Sequence, residues 1–123
     1  MYNIDMHSND FLGVGIVTCN RKDSFMRLFD EVNSNDIVDY ISVVKNKEFD
    51  YGDYEPSLLA DRSLKTTTQN VKEDVGVGYC KNICLKQLIE KKCKHIFLIE
   101  DDINIKNDDV FKYYIDTAKS FNL

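Results

Sequence analysis

The stretch HIFLIEDDINI, residues 95–105, places an apolar run directly before three consecutive acids. Its first part, through Ile99, has the large and β-branched side chains of a strand that is buried on both faces of a sheet. Glu100, Asp101 and Asp102 follow side by side, and neighbouring carboxylates repel one another unless something positive lies among them. The stretch therefore predicts a buried central strand whose carboxyl end needs a cation.

A strand and a helix are predicted at the start of the chain. Residues 11–20, FLGVGIVTCN, form a continuous apolar and β-branched run, which is typical of a buried strand. Residues 21–35 then carry apolar side chains at helical spacing, namely Phe25, Leu28, Phe29 and Val32. Asp23 or Ser24 is placed to cap the start of this helix.

Two more strands and a long helix are predicted before the acidic stretch. Residues 38–46, VDYISVVKN, have a strand pattern, whereas residues 47–64 hold the only proline, show no clear periodicity and predict mostly loop. Residues 65–70, KTTTQN, predict a short third strand. Residues 71–94 predict a helix with one apolar face, formed by Val77, Cys80, Cys84, Leu85, Leu88 and Ile89.

A final helix completes an alternating order of strands and helices. Residues 107–121 predict this helix, with Asn107 or Asp108 as its cap and an apolar stripe through Val110, Phe111, Tyr114, Ile115 and Ala118. The order predicts an α/β fold, a three-layer α/β/α sandwich with a mostly parallel sheet, in one domain over residues 11–123 after a polar tail at 1–10. Ligands of such sheets bind at the carboxyl ends of the strands.

Charge and hydropathy exclude some classes of function. The chain has 123 residues, a net charge of -5 and no block of Lys and Arg, which argues against a nucleic-acid surface. No apolar run approaches the length of a membrane-spanning helix, and residues 1–10 are too polar for a signal peptide. We therefore expect no nucleic-acid partner, no transmembrane segment and a cytoplasmic location.

The four cysteines do not have the spacing of a zinc site. Cys19, Cys80, Cys84 and Cys93 include no CxxC pair and have no histidine at finger spacing. Cys80 and Cys84 lie one helical turn apart on the apolar face of the long helix, so we expect them to be core thiols.

The three acids are candidate metal ligands. Alternation along a strand would put Glu100 and Asp102 on one face and Asp101 on the other, so two carboxylates could converge on one Mg²⁺ or Mn²⁺ ion. The alternative is an acidic turn that only leads into the next helix. A phospho-receiver domain would need further strands after the acids. An EF-hand loop from Asp102 would need glycine at Asn107 and an acid at Tyr113.

Glycines and two cations provide candidate phosphate contacts. Gly76 and Gly78 open the long helix, whose amino end attracts anions, and Lys81 lies in its first turns. Arg21, just after the first strand, could add a second cation for a diphosphate. Solvated surface charge is the alternative for both cations, and neither GVG stretch completes a GxGxxG or Walker pattern.

Three motifs in this order resemble the nucleotide-sugar-binding half of a family 2 glycosyltransferase with the Rossmann-like GT-A fold. They are GIVTCNR at 15–21, EDVGVGYCKN at 73–82, and FLIEDD at 97–102, whose acids correspond to a DxD-like triplet. The resemblance covers most of residues 11–121. It implies a truncated domain, because the acceptor site and general base of such enzymes lie in a further half.

The resemblance also implies roles for individual residues. Nucleotide-sugar contacts would come from Thr18, Arg21, Asn46, Lys81, Glu100 and Asp101, and the metal ligands would be Asp102, the principal one, and Glu100. Mn²⁺ or Mg²⁺ would stabilise the departing UDP. Lys45 stands close to the position where the family usually has an aspartate for the uracil ring.

The function expected from these motifs is metal-dependent binding of a nucleotide-sugar, with UDP-sugar as the expected donor, for transfer to a glycan acceptor in polysaccharide biosynthesis. No general base can be assigned, because His95 starts its strand at the end opposite the acids and His7 lies in the tail. The alternative is a non-catalytic α/β module that binds a nucleotide or a protein. An open sheet edge could also pair two copies into a homodimer.

Overall fold

The computed structural model describes residues 11–47, 51–55, 58–59, 63, 65–103, 105 and 109–120. Its strands are β1 (Leu12–Thr18), β2 (Tyr40–Asn46), β3 (Thr66–Val71) and β4 (His95–Glu100). Its described helices are α1 (Lys22–Asn33), α2 (Val77–Glu90) and α3 (Val110–Ser120), with a short 3-10 turn at Gly52–Tyr54. Strands and helices alternate in the predicted order.

All four strands are parallel and lie in the order β3-β2-β1-β4. Val14 in β1 is paired with Ile41 of β2 on one side and with Phe97 of β4 on the other. Because parallel strands end at the same edge of a sheet, the residues that follow β1, β2, β3 and β4 meet there. The predicted parallel α/β sheet is confirmed.

The helices cover both faces of the sheet. One cluster of buried side chains joins β1 and β2 to α1 and α3, through residues such as Ile16, Phe29 and Phe111. A second cluster joins the opposite face to α2, through Val17 and Cys84. Each strand of the sheet centre is buried on both faces, since every residue of β1 and all but the first of β2 are buried. This is the predicted three-layer arrangement.

Two glycines in β1 allow α2 to pack directly on the strand. A Cβ atom at Gly15 would lie 2.8 Å from the Cβ atom of Cys84, and one at Gly13 would lie 2.6 Å from the Sγ atom of Cys93. Cβ contacts this short are essentially never formed, so a larger residue at either position would push the helix or its side chains away. The GVG stretch of β1 therefore serves helix packing.

The acidic stretch lies at the end of an edge strand, and the prediction of a central strand was wrong. β4 pairs with β1, and no other described strand lies on its far side. All six residues of β4 are half-buried, whereas β1 is fully buried. The apolar run predicts burial on both faces, but a strand that is only half-buried under α2 and α3 can have the same composition.

The helix faces are narrower than the predicted ones. In α2 the buried residues are Cys80, Cys84 and Leu88, spaced by four, while Val77 and Ile89 are exposed. The ridge formed by Cys80, Cys84 and Leu88 is buried and Ile83 packs partly beside it, while apolar residues farther round the helix face solvent. In α3 the buried residues are Phe111 and Ile115, and the predicted stripe residue Tyr114 is exposed.

The predicted helix caps also differ from the structure. Arg21 occupies the N-cap position of α1, and no described side chain makes a capping hydrogen bond there, so neither Asp23 nor Ser24 has that role. The proposed caps of the last helix, Asn107 and Asp108, lie outside the described residues. Within the part of the chain that the structure covers, no helix is long and apolar enough to cross a membrane.

The cysteines behave as predicted for Cys80 and Cys84, which are both buried. All four cysteines are free thiols. Burial raises the pKa of Cys84 and of Cys93 to about 11, so both remain protonated near neutral pH.

Candidate functional site

Asp101 is the buried acid at the carboxyl edge of the sheet. Its side chain is 5% exposed, and its Oδ2 atom accepts hydrogen bonds from the Thr18 hydroxyl at 2.8 Å and the Cys19 backbone N–H at 3.2 Å. Its Oδ1 atom accepts one from Nη1 of Arg21 at 3.3 Å. A carboxylate can be buried at moderate cost when such donors surround it. Asp101 thus joins the end of β4 to the end of β1.

Tyr51 extends this network, although it lies in the segment predicted as loop. The Thr18 hydroxyl has one proton and donates it to Asp101, so the phenol of Tyr51 donates to Thr18 Oγ1 at 2.7 Å. The backbone N–H of Arg21 donates to Tyr51 Oη at 3.2 Å. Burial raises the pKa of Tyr51 above its ordinary value of 10.0, although the hydrogen bond that the phenol oxygen accepts from the Arg21 N–H acts to lower it. The phenol therefore stays protonated near neutral pH.

Arg21 supplies the positive charge among the acids. Its Nη1 atom lies 3.3 Å from Asp101 Oδ1 and 3.2 Å from Asp102 Oδ2. The side chains of Arg21 and Asp102 are 53% and 60% exposed, so solvent screens their attraction and the pair exchanges partners at low cost. The repulsion among the acids is therefore offset within the chain itself.

Glu100 belongs to a different ion pair. Its Oε2 atom lies 3.5 Å from the Nζ atom of Lys81 in α2. The Ile103 N–H donates to the Glu100 carbonyl at 3.2 Å, which closes a turn directly after β4. Strand alternation therefore ends at Glu100. The prediction that alternation continues to Asp102, with Glu100 and Asp102 on one face, was wrong. Asp102 shares its cation with Asp101, and Glu100 has one of its own.

A divalent cation fits these residues only in part. Asp102 and Glu100 offer hard carboxylate oxygens and are 60% and 47% exposed. Across the described ranges, no three or more His, Cys, Asp or Glu side chains are grouped to hold a metal ion. Magnesium commonly uses one or two protein carboxylates together with substrate phosphates and water. Asp102 and Glu100 alone therefore make at most a partial metal site, and each carboxylate is already paired with a cation of the chain.

Asn46 supports the chain that follows β3. Its side chain is 4% exposed, and its Nδ2 atom donates to the Val71 carbonyl at 3.2 Å and the Glu73 carbonyl at 2.6 Å. The Lys47 N–H also donates to the Val71 carbonyl at 2.7 Å, and the Lys47 amine pairs with Asp74 at 3.3 Å. These contacts hold residues 71–74 against the end of β2.

Lys45 is a buried cation at the same edge. It is 4% exposed, and its Nζ atom donates to the two carboxylate oxygens of Glu55 at 2.7 and 2.9 Å. The amine also lies 5.2 Å from the ring centroid of Tyr51, whose N–H donates to Glu55 Oε2 at 2.6 Å. Lys45 therefore holds the segment that carries Tyr51. A lysine within an apolar strand was a signal for a buried acid, but nothing local identified Glu55.

The amino end of α2 is open. Gly76 is its N-cap residue with φ of +86°, and no described side chain caps the helix there. Among the described residues, no atom would come within 4 Å of a Cβ placed at Gly76 or Gly78. Residues 76–78 are exposed, so the positive dipole end of the helix faces solvent, where it favours an anion, and Lys81 lies on the same turns.

A polar cavity of about 310 Å³ lies beside this helix end. It is formed by the end of β3, the segment after it and the first turn of α2; the lining residues are Gln69, Asn70, Val71, Lys72, Glu73, Val75 and Tyr79. The Tyr79 side chain is 57% exposed. None of the predicted site residues lines this cavity.

The structure brings most of the predicted site residues together. Thr18, Arg21, Asp101 and Asp102 form one network, and Lys81 and Glu100 form a neighbouring ion pair. Asn46 lies at the same edge, but its side-chain amide donates to two backbone carbonyls.

No model of a known protein family, no curated protein and no solved structure matches this chain. The direct ligand contacts implied by the glycosyltransferase resemblance stay predictions.

Proposed function

We propose that this domain binds the nucleoside diphosphate part of a nucleotide-sugar at the carboxyl edge of its sheet, as the donor-binding part of a family 2-like glycosyltransferase with the GT-A fold. A parallel sheet between helical layers supports the proposal, because such sheets bind ligands at this edge. The order of the three sequence motifs supports the choice of ligand, with UDP-sugar as the expected donor and a glycan as the acceptor.

One observation carries the proposal. Two exposed carboxylates, Asp102 and Glu100, each face a partly exposed cation, and the uncapped amino end of α2 opens at the same edge. Arg21 and Lys81 are 53% and 33% exposed, so both guanidinium and amine can exchange a carboxylate for a phosphate. Such a combination of cations, helix end and carboxylates suits an anion that brings its own metal ion.

Each group would have a distinct task when the donor binds. Asp102 and Glu100 would hold Mn²⁺ or Mg²⁺, and the ion would neutralise charge on the diphosphate leaving group. Arg21 and Lys81 would turn from the carboxylates toward phosphate oxygens. Asp101 and Thr18 would keep Arg21 in position from below, because both are buried and bonded to one another.

A titration with a matched control tests the proposal. UDP is titrated calorimetrically into wild-type protein, Asp102→Ala and Asp116→Ala, each with Mn²⁺ in excess. Asp116 is an exposed acid on α3, away from the edge that carries the acids, and serves as the control. We expect UDP affinity to fall at least about tenfold in Asp102→Ala, which corresponds to about 1.4 kcal/mol, and to be unchanged in Asp116→Ala. Equal affinity in all three proteins would contradict the proposal.

A second candidate function is a non-catalytic α/β module that binds a nucleotide or a protein without metal. The position of Arg21 between Asp101 and Asp102 favours it, since this guanidinium already offsets both carboxylates. This candidate predicts that UDP binds equally well in Mn²⁺ and in EDTA, or that it does not bind.

A further inference from the structure

The outer edge of β4 is open and has the composition of an inner strand. β4 pairs with β1 alone, and no other described strand lies on its far side. Residues 96–99, IFLI, include no proline and no charged residue. Edge strands usually carry a charge, a proline or a bulge that prevents pairing with another chain. β3, at the other edge of the sheet, is polar, with the sequence TTTQNV. Of the two edges, β4 is therefore the one that is suited to accept a further strand.

The backbone groups of alternate residues in β4 point away from β1. The His95 N–H donates to the Phe11 carbonyl at 3.1 Å, so the backbone groups of His95 face β1. Because these directions alternate along a strand, the N–H and carbonyl groups of Ile96 and Leu98 point outward. Among the described residues, none bonds to these outward groups. They can therefore form a ladder of hydrogen bonds with a partner strand.

A second copy of β4, running antiparallel, matches this edge. A two-fold axis perpendicular to the sheet keeps the two faces of the joined sheet continuous when side chains of the same face lie opposite one another. With the axis at Phe97, this residue lies opposite its own copy, and Ile96 lies opposite Leu98 of the second copy. This register joins the outward backbone groups and uses the whole apolar run. A shift by one residue would place side chains of different faces opposite each other.

The charges at the two ends of β4 are complementary in the same register. Lys94 directly precedes β4, and Glu100 ends it, so each lies opposite the other residue in the second copy. Lys94 is exposed, and the Glu100 side chain is 47% exposed, so both can reach across the edge. Opposite charges across neighbouring strands favour pairing. A shift by two residues would place either Glu100 opposite Ile96 or Lys94 opposite Leu98.

Aromatic side chains lie along this edge on the α3 face. The Phe97 ring lies 5.8 Å from the Tyr114 ring, which lies 5.9 Å from the Tyr113 ring. Tyr114 and Tyr113 are 56% and 67% exposed. With the axis at Phe97, the two Phe97 side chains form a cross-strand aromatic pair, which stabilises neighbouring strands. A second copy would also bring its own α3 to the same face and cover part of this apolar surface.

We propose that the outer edge of β4 pairs with β4 of a second copy of this chain, antiparallel and centred on Phe97, which joins two four-stranded sheets into one. The two copies then present their carboxyl edges on opposite sides of the joined sheet, because their strands run in opposite directions. This inference goes beyond the proposed function and does not depend on it, since no ligand takes part in the pairing.

Sedimentation equilibrium of the full chain measures the dimer, and an exchange of charges tests its register. Lys94→Glu places a glutamate opposite Glu100, and Glu100→Lys places a lysine opposite Lys94. Because each change creates two like-charge contacts, each variant alone should dimerise at least about tenfold more weakly than wild type. In an equal mixture of the two variants, both cross-strand contacts are attractive again. We expect a heterodimer whose affinity lies within about threefold of the wild-type affinity.

Lys86→Glu is the matched control, because it makes the same change of charge at an exposed position of α2 and should leave dimerisation unchanged. Far-ultraviolet circular dichroism checks that each variant is folded.

Three outcomes would overturn the proposal. A wild-type chain that sediments as a monomer at every concentration leaves the edge to a strand of another protein. A dimer that responds equally to Lys94→Glu and Lys86→Glu uses a different surface. Two variants that dimerise weakly alone and do not pair when they are mixed rule out the register centred on Phe97.

Discussion

The tripeptide GVG occurs twice in this chain, and the two copies have opposite environments. In β1, Gly13 and Gly15 lie under α2, where an added Cβ would collide with Cys93 or Cys84. At the start of α2, nothing described lies within 4 Å of a Cβ at Gly76 or Gly78. The first copy lets a helix approach a strand, and the second leaves room at a helix end. A short glycine motif acquires its meaning from what the fold places above it.

The largest expected effect concerns Cys84, the buried thiol that packs against Gly15 in the first copy, and it is seen at high pH. Burial raises the pKa of this thiol from 9.0 to about 11, so the unfolded chain loses the proton at a lower pH than the folded chain. The contribution to stability is complete below pH 9 and is lost as pH rises toward 11. We expect the free energy of unfolding to fall by roughly 3 kcal/mol over this window through Cys84 alone.

Urea unfolding at a series of pH values from 8 to 11 measures this fall. In Cys84→Ala the fall should be clearly shallower, with the remainder due to other groups such as Cys93, whose pKa is also raised to about 11. Curves of equal slope for the two proteins would show that the thiol is not enclosed under β1.

The next largest effect on the free energy of unfolding is expected when a glycine of each GVG copy is replaced by alanine. In Gly15→Ala the new Cβ would lie 2.8 Å from the Cβ of Cys84, which is fixed to the helix backbone, so α2 must shift. We expect a loss of about 2–3 kcal/mol in the free energy of unfolding, measured with urea. Gly78→Ala is the matched control, with a change within about 0.5 kcal/mol and of stabilising sign, because alanine favours helix. Similar effects at both positions would remove the distinction between the two copies.

A smaller effect on the free energy of unfolding is expected for Tyr51→Phe, in the buried network around Thr18. The change removes a phenol that donates to Thr18 and accepts from the Arg21 N–H, and it leaves both groups without that partner. We expect a loss of about 1–2 kcal/mol in the free energy of unfolding by urea. Tyr54→Phe is the control, because the Tyr54 hydroxyl bonds to Asp30 at the surface, and it should cost less. A larger cost for Tyr54→Phe would show that the Thr18 network is not structurally important.

The sequence was sufficient for the strands and helices because their patterns are local. The β-branched runs of β1 and β2 and the four-residue spacing of Phe25, Phe29 and of Cys80, Cys84 need no knowledge of the rest of the chain. The edge position of β4 could not be predicted without the strand order, because an apolar run of this length is typical of inner strands and of covered edge strands alike.

The side chains that meet at the carboxyl edge were predicted where they lie at the end of a strand, and missed where they belong to the segment between β2 and β3. Thr18 and Glu100 end β1 and β4, and Arg21, Asp101 and Asp102 follow them within three residues, so the parallel pairing of the two strands brings all five together. Tyr51 and Glu55 reach the edge from a segment without periodicity, and only their long-range bonds to Thr18 and Lys45 reveal them. The predicted caps failed because Arg21, which contacts the distant Tyr51 and Asp101, occupies the N-cap position of α1. The predicted alternation failed because the chain turns directly after Glu100.

The central claim is that the open edge holds a nucleoside diphosphate together with a metal ion. The most direct test is one calorimetric titration of wild-type protein with UDP, first in Mn²⁺ and then with EDTA in excess. We expect saturable binding in Mn²⁺ that weakens at least about tenfold in EDTA. Absence of binding in Mn²⁺, or equal affinity with and without the metal, would contradict it.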